Sequence, residues 1–405
     1  MVHLQNMFIC SSEGVVACFP TNTSYLKRSF VYFDYRSMSS ADLVELDSAE
    51  SIASGEDALL ISSDAESVSS DELESSDVGV AFEGLPGNCG MSAAAWKRFM
   101  LFRPPADFIL VLQLMRSLGL FKNLAGLVCV EYYCGAEELR SAFERFFPSK
   151  TLGYDQTNHR ENQDINTPVG FIHAVVLMFR LSTSAEVGEW VIAWFGTQCS
   201  NFMWLSRSKT GRSRHNAHGD LSRHNVQRAN KMVARTSLLM VLACAFRIIW
   251  GLEQPGSSCM VFLHHLKWIR YICNRVLEGW YCCTTYMSEF GHACLKDSQL
   301  HANHAFILQL ARKHPGSAAA DKLAKVVSKR KGRDGTTKVT GDVAAVKDTQ
   351  RYTRQFGEAV RDSFLNFRSA TGSRHTKFLR SCSFTAQIWA DAELSDVIEY
   401  LRSCK

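Results

Sequence analysis

The chain has 405 residues, 46% of them hydrophobic and 11% aromatic, which is enough to bury a sizeable core in one large domain or two modest ones. Its net charge of +5 hides an asymmetry, because residues 37–96 carry thirteen acidic side chains and no Lys or Arg, leaving +18 for the remainder. A basic body with an acidic tail indicates a polyanionic partner, although basicity that only aids solubility is the alternative interpretation.

The cysteines and the apolar runs indicate in which cellular compartment the protein is expected. The fourteen cysteines are scattered, and several lie inside apolar runs, which is not typical of a secreted disulfide framework. No apolar leader is found in residues 1–20, so reduced thiols inside a cell are expected. The longest apolar run, residues 237–246, is far shorter than the roughly 20 residues that cross a bilayer, and no membrane partner is expected.

In chain order, the first segment is an acidic, serine-rich stretch. Residues 1–90 are predicted to form a disordered tail, because so little apolar surface does not offset the entropy lost on folding.

Strands alternate with helices in the next segment, residues 91–315. Helices are predicted at 94–102, 106–120, 136–147, 168–181 and 225–246, and strands at 127–133, 152–154, 189–195 and 248–252. This alternation implies parallel pairing with right-handed crossovers. The predicted fold class is α/β, a Rossmann-like, doubly wound and mostly parallel sheet with flanking helices.

The remainder of the chain has a weaker pattern. Helices are predicted at 262–275 and 302–313, a strand at 280–287, a basic flexible linker at 316–350 and a small helical region at 351–405. The basic run Lys329-Arg330-Lys331 could be a nuclear import signal or a phosphate contact. A nuclear location is therefore expected, with the cytoplasm as the alternative.

Two apolar runs each end beside a chemically capable side chain. Residues 191–200 lead to Cys199, and residues 248–255 contain Glu253. Ligands of open parallel sheets bind at the carboxyl ends of the strands, so this thiol and this carboxylate can face one substrate.

The order of motifs resembles the class I S-adenosylmethionine-dependent methyltransferases, and within them the DNA cytosine-5 methyltransferases. The turn Glu131-Tyr132-Tyr133-Cys134-Gly135 matches the family's first cofactor turn. The resemblance implies that Glu131, Tyr133 and Gly135 bind the methionine portion of S-adenosylmethionine. It further implies that Asp155 accepts hydrogen bonds from the ribose and that Asp164 lies near the adenine. Taken singly, either aspartate could be an ordinary surface carboxylate.

The same resemblance implies a catalytic pair. Cys199 would be the nucleophile, since a cysteine thiolate can attack a cytosine ring carbon to give an enamine that takes the methyl group. Glu253 would hydrogen-bond the ring and activate it, and Lys296 or Arg275 would replace a later family arginine. The structural alternatives are a buried cysteine for Cys199 and a helix cap or salt bridge for Glu253.

Some positions depart from the family pattern. Glu137 occupies the second turn glycine, no prolines precede Cys199, and Gln254-Pro255 follows Glu253. The alternatives are therefore a catalytically degenerate member that binds nucleic acid, or a small-molecule methyltransferase.

A polar segment after Cys199 concentrates basic side chains. Arg207, Lys209, Arg212 and Arg214 are predicted to contact nucleic acid, most simply DNA, or else to be part of a solvated loop. Cys273, Cys282, Cys283, His292 and Cys294 cluster in sequence but lack the paired spacing of a zinc site, so no metal is predicted. Oligomeric state is left open.

Overall fold

The computed structural model describes residues 9–11, 14–16, 89–159, 161–277, 279–325, 327–331, 337–341, 349–370 and 386–404. The chain divides into two compact units, Met1–Pro86 and Gly87–Lys405. The predicted acidic tail, residues 1–90, lies almost entirely outside the described residues. Within it, Ile9–Ser11 and Gly14–Val16 pair as a short antiparallel hairpin.

The second unit is built on a six-stranded sheet. Its strands are β1 (Cys129–Tyr132), β2 (Thr151–Tyr154), β3 (Ile192–Phe195), β4 (Ile249–Pro255), β5 (Tyr281–Tyr286) and β6 (Asp297–Ala302). Across the sheet they follow the order β2-β1-β3-β4-β6-β5. The first four strands are parallel, whereas β6 runs antiparallel to both β4 and β5. The α/β class predicted from the sequence is confirmed, as a mixed sheet with flanking helices.

Eight longer helices lie within the described residues of this unit. They are α1 (Ala93–Leu101), α2 (Ala106–Ser117), α3 (Glu138–Glu144), α4 (Pro168–Glu186), α5 (His224–Phe246), α6 (His264–Val276), α7 (Arg354–Ala370) and α8 (Ser395–Ser403). Short α-helical turns are Gln156–His159, Arg207–Thr210 and Ser317–Ala320. Short 3-10 turns are Glu161–Gln163, Trp204–Ser206, Met260–Phe262, Met287–Phe290, Ala305–Leu310 and Ala386–Ala392.

The two faces of the sheet bury alternate residues of each strand, as strand geometry requires. On one face Cys129, Ile192 and Trp194 pack against α3 and α7. On the other, Tyr132 donates a hydrogen bond to the carbonyl of Ala174 in α4 and stacks on Phe195. Strands β1, β3 and β4 are buried throughout, which explains why β3 is a continuous apolar run in the sequence and why β1 and β4 are mostly apolar.

The prediction of a helix at residues 302–313 is wrong. Those residues form the end of β6 and the 3-10 turn Ala305–Leu310, and β6 itself begins at Asp297. Strand β4 also extends to Pro255, so Glu253 lies within the strand and not beyond it, opposite Leu300 of β6.

The regions predicted as 91–315 and 351–405 belong to the same compact unit. Phe356, Val360 and Phe364 of α7 are buried in the core beside Trp194. Where residues 316–350 are described, they include the short helix Ser317–Ala320 and an antiparallel hairpin of Val327–Lys331 with Thr337–Gly341, in place of a featureless linker.

Helices α4 and α5 are long and apolar enough to cross a membrane by length and composition alone, as are the core helices of many soluble proteins. In the fold, 56% of the most apolar 18-residue stretch of α4 and 94% of that of α5 is buried.

Candidate functional site

A cavity of about 610 Å³ opens at the carboxyl ends of the parallel strands. Its walls come from residues 133–136 after β1, 155–157 after β2, 163–166 before α4 and 196–199 after β3. The lining is completed by Arg228, Met232, Glu253, Lys296, Gln350, Arg351 and Tyr352. Strand order reverses between β2-β1 and β3-β4, and such a reversal opens a crevice above the sheet.

Six of the predicted site residues line this one cavity. They are Tyr133, Gly135, Asp155, Asp164, Cys199 and Glu253. The four strands that position them are distant in sequence and adjacent in the sheet, and their parallel direction places these residues at one edge.

The turn after β1 has an unusual backbone. Tyr133, Gly135 and Glu137 have φ angles of 62°, 49° and 58°, in the left-handed region. A Cβ at Gly135 would meet no atom within 4 Å, so this backbone faces open space. Left-handed backbone at non-glycine residues clusters at ligand sites, where the surrounding structure enforces it.

Glu131 does not line the cavity, contrary to the prediction that it contacts the cofactor. It is fully buried, on the face of β1 covered by α3, and its Oε2 accepts a hydrogen bond from the backbone N–H of Arg140 at 2.7 Å. Burial raises the pKa of Glu131 to about 8, partly countered by that hydrogen bond. The helix that covers this face explains the error, since the backbone N–H of Arg140 holds the Glu131 carboxylate beneath α3 and away from the cavity.

Glu137 also lies outside the cavity lining. Its carboxylate pairs with Arg140 at 2.8 Å, one turn along α3. The side chain that replaces the family's second turn glycine is therefore directed to a helix surface.

Both aspartates are largely engaged by their own loops. Asp155 accepts hydrogen bonds from the backbone N–H groups of Gly135 (3.1 Å) and Thr157 (2.7 Å) and from the Thr157 hydroxyl. An ionised carboxylate has about four acceptor positions, so one remains. Asp164 caps the turn before α4 through Asn166 and forms an ion pair with Arg228 of α5.

Cys199 is half-buried and lines the cavity. Burial and then the negative charge of Glu253 raise the pKa of Cys199 to about 11, and the nearby Lys296 ammonium opposes them. The thiol is therefore protonated at neutral pH. The lowered pKa expected of a nucleophilic cysteine is not present in the free protein.

Glu253 is the centre of a polar cluster. Its Oε1 accepts a hydrogen bond from the Ser298 hydroxyl at 2.6 Å and lies 3.3 Å from Lys296 Nζ, while Tyr352 donates to Oε2 at 3.3 Å. Of the two residues considered as replacements for the family arginine, Lys296 lies in the cavity and Arg275 lies in α6. A buried carboxylate with three donors is held in place and satisfied.

Sequence reasoning missed Tyr352. It precedes α7, 99 residues after Glu253 in the chain, and its hydroxyl also accepts a hydrogen bond from Trp194 Nε1 at 3.2 Å. No local motif identifies it. The available signal was an aromatic residue at the start of the amphipathic segment that becomes α7.

The basic segment after Cys199 divides into two classes. Arg207, Lys209 and Arg214 are exposed, in agreement with a surface role. The prediction that Arg212 contacts nucleic acid is wrong, because this residue is only 2% exposed. Its guanidinium donates to the carbonyls of Ala217 and Val226 and lies 4.1 Å from the centre of the Phe202 ring. It is thus the internal support of the loop.

Among the described residues, no group of three His, Cys, Asp or Glu side chains has the geometry to hold a metal ion. Within the cysteine-rich stretch, Cys283 donates to the carbonyl of Ile307, and Cys294 contacts His292.

Comparisons of the chain with protein-family models, with curated proteins and with solved structures found no match.

Proposed function

We propose that the unit Gly87–Lys405 is a Rossmann-like, doubly wound S-adenosylmethionine-dependent methyltransferase domain that acts on a nucleic acid base in the cytosine-5 manner. The observation that carries this proposal is the convergence of Gly135, Asp155, Cys199 and Glu253 on one cavity. These positions were selected from the sequence for complementary roles in one reaction.

The part of the cavity lined by the turns after β1 and β2 suits the cofactor. Its volume of about 610 Å³ lies within the usual range of ligand pockets, roughly 300–1,000 Å³. The open backbone at Gly135 permits close approach of a methionine portion, and the remaining acceptor of Asp155 suits a ribose hydroxyl. Ile165 offers an apolar side chain beside Asp164 for an adenine. S-adenosylmethionine, when bound, supplies an electrophilic methyl group.

The part of the cavity lined by Cys199 and Glu253 suits the base. In the proposed reaction the Cys199 sulfur forms a bond to a cytosine ring carbon, and the thiol proton passes to the ring nitrogen through Glu253. The neutral enamine that results is the methyl acceptor. Lys296 offsets the negative charge of Glu253 at 3.3 Å and so favours loss of the thiol proton.

A polyanionic substrate agrees with the surface charge. Arg207, Lys209 and Arg214 are exposed on the loop that follows the Cys199 turn, where they can pair with phosphates. A base inside a duplex does not reach such a cavity unless it is turned out of the stack. DNA is the proposed substrate, and a nuclear location remains a prediction.

Calorimetry with S-adenosylmethionine and with its demethylated product tests the cofactor site. We expect both to bind, and Asp155→Asn to weaken binding because Asp155 orders the loop through Gly135. If neither compound produced a heat of binding, the proposal that the protein is a methyltransferase would be rejected.

A fluorocytosine-containing duplex tests the base site. We expect a covalent adduct with the wild type and S-adenosylmethionine, and none with Cys199→Ala. Cys259→Ala is the matched control, because Cys259 is buried outside the cavity and donates to the carbonyl of Phe202. Equal adduct yields for the two variants would contradict the assignment of Cys199.

The second candidate is a degenerate domain that binds cofactor and nucleic acid without methyl transfer. The raised pKa of Cys199 favours it. Calorimetric binding together with no adduct at any pH up to 10 would select this alternative.

A further inference from the structure

We propose that Tyr352 is a positioning residue of the candidate site, which holds the carboxylate of Glu253 in its working orientation and makes the site depend on the segment before α7. The chemistry of this inference rests on the proposed function. The geometry on which it depends involves only residues within the protein.

The direction of the Tyr352 hydrogen bond is fixed by its neighbours. Trp194 Nε1 can only donate, so the Tyr352 oxygen accepts from it at 3.2 Å. The single hydroxyl proton is then available for Glu253 Oε2 at 3.3 Å. Burial raises the pKa of Tyr352 well above its usual range, so the phenol keeps this proton.

The two oxygens of Glu253 have different donors. Ser298 and Lys296 both contact Oε1, whereas Tyr352 donates to Oε2. Without Tyr352 the carboxylate keeps its attachment through Oε1 and can rotate about it. Tyr352 therefore determines how the second oxygen is presented to the cavity.

The Tyr352 hydroxyl occupies space that is free because Gly196 has no side chain. A Cβ at Gly196, directly after β3, would lie 2.7 Å from the Tyr352 oxygen and 3.4 Å from its ring carbon Cζ. Any other residue at position 196 would thus displace the hydroxyl. The ring itself packs against Trp194 and Phe356, with centroid distances of 6.4 Å and 5.0 Å.

The first experiment compares Tyr352→Phe with Tyr132→Phe. Both remove one buried phenol hydroxyl, but Tyr132 donates to the carbonyl of Ala174 in the core and does not line the cavity. We expect Tyr352→Phe to slow Cys199 adduct formation about 10- to 100-fold, since hydrogen bonds to charged groups have effects of this size. Cofactor affinity should stay within about twofold, because the hydroxyl acts on Glu253 and not on the cofactor loops. An equal slowing by Tyr132→Phe would show a merely structural effect and overturn the proposal.

The second measurement does not need enzymatic activity. The indole N–H signal of Trp194, assigned with Trp194→Phe, is followed by ¹H–¹⁵N nuclear magnetic resonance in the wild type, Tyr352→Phe and Glu253→Gln. Both substitutions should shift the signal, because removal of the charge on Glu253 weakens the Tyr352 acceptor. An unmoved signal in Glu253→Gln would overturn the proposal. A shift combined with no adduct in the wild type would instead refute the proposed function alone.

The third experiment uses Gly196→Ala, which displaces the hydroxyl without removing it. Gly196→Ala should lower stability and shift the Trp194 signal, and the double variant Gly196→Ala/Tyr352→Phe should recover most of the lost stability. In the double variant the Cβ at position 196 no longer meets a hydroxyl oxygen at 2.7 Å. Its nearest atom on residue 352 is then the ring carbon Cζ, at 3.4 Å. Additive losses of stability in the double variant would contradict a shared site for the two groups.

Discussion

At the scale of single residues, the cavity combines a thiol with two opposite charges. Glu253 raises the pKa of Cys199 and Lys296 lowers it, while burial has the largest effect and raises it to about 11. The reactivity of this thiol should therefore respond in opposite directions to neutralisation of the two neighbours.

We predict that Glu253→Gln accelerates alkylation of Cys199 by iodoacetamide at pH 8 and that Lys296→Met slows it, each by several-fold. The thiolate is the reacting form, so the rate should continue to rise with pH up to about 11 in the wild type. Peptide mass spectrometry across a pH series measures this, with the exposed Cys282 in the same digest as an internal control. A rate that levels off below pH 9 would contradict the raised pKa.

Glu131 carries a second prediction, on stability. Its pKa is raised from 4.5 to about 8 in the folded protein. Between these values the unfolded chain has released a proton that the folded protein retains, so stability should fall as pH rises from about 4.5 to about 8 and then level off. The total loss is at most about 5 kcal/mol, from roughly 1.4 kcal/mol per pKa unit. Urea unfolding of Glu131→Gln across this range should lack the slope; a slope equal to that of the wild type would assign it to other groups.

The sequence predicted those site residues that follow strands in a recognisable order. Cys199 was predicted because it follows an apolar run and a turn, and Gly135 and Asp155 were predicted because the order of motifs resembles a known family. Tyr352 was not found because its partner is 99 positions away. Glu131 was assigned to the cavity by the resemblance alone, and a motif does not show that α3 covers this side chain.

At the scale of elements, Arg235 joins three parts of the fold. Its guanidinium is fully buried in α5 and donates to the carbonyls of Ile165 (3.0 Å), Ala392 (2.9 Å) and Glu393 (2.7 Å). It also pairs with Asp396 of α8 at 2.6 Å. One side chain thus holds the turn before α4, part of which lines the cavity, against the C-terminal helix.

We predict that Arg235→Met destabilises the protein by about 3–5 kcal/mol, because removal of one partner leaves buried carbonyls and a carboxylate without donors. Arg223→Met is the matched control, since Arg223 is 45% exposed where it pairs with Asp220. Exposed pairs contribute about 0–1 kcal/mol. Chemical unfolding of the two variants gives the comparison, and similar losses would show that burial of Arg235 has no special effect.

Element prediction succeeded where one physical rule decides the pattern. Strand β3 is buried on both faces and appears as an unbroken apolar run, β1 is interrupted only by Glu131, and α5 shows a long helical run. The sequence of β6, Asp-Ser-Gln-Leu-His-Ala, contains no such run. Its place in the sheet comes from antiparallel pairing with β4 and β5, a tertiary effect that overrides local preference.

At the scale of the whole molecule, composition predicted a separate C-terminal region, whereas residues 87–405 form one compact unit. The change from an acidic to a basic composition lies near the boundary at Pro86 between the two compact units. The C-terminal region looked separate because a basic stretch precedes it. Its apolar residues nevertheless complete the core, through Phe356, Val360 and Phe364.

We predict that a chain of residues 87–405 unfolds cooperatively with a Tm within a few degrees of that of the full protein. A chain of residues 87–348 should not unfold cooperatively, because it loses α7, α8 and the acceptors of Arg235 at Ala392, Glu393 and Asp396. Differential scanning calorimetry of the two truncated chains tests this. A sharp transition in the shorter chain would show that the C-terminal region is an appendage.

The position of Tyr352 late in the chain has a consequence for biosynthesis. While the polypeptide is still being translated, the strands that carry Cys199 and Glu253 emerge from the ribosome long before the segment that contacts them. A nascent chain would therefore have these groups assembled only after residue 352 has been made, so termination before that residue would yield products without a finished pocket.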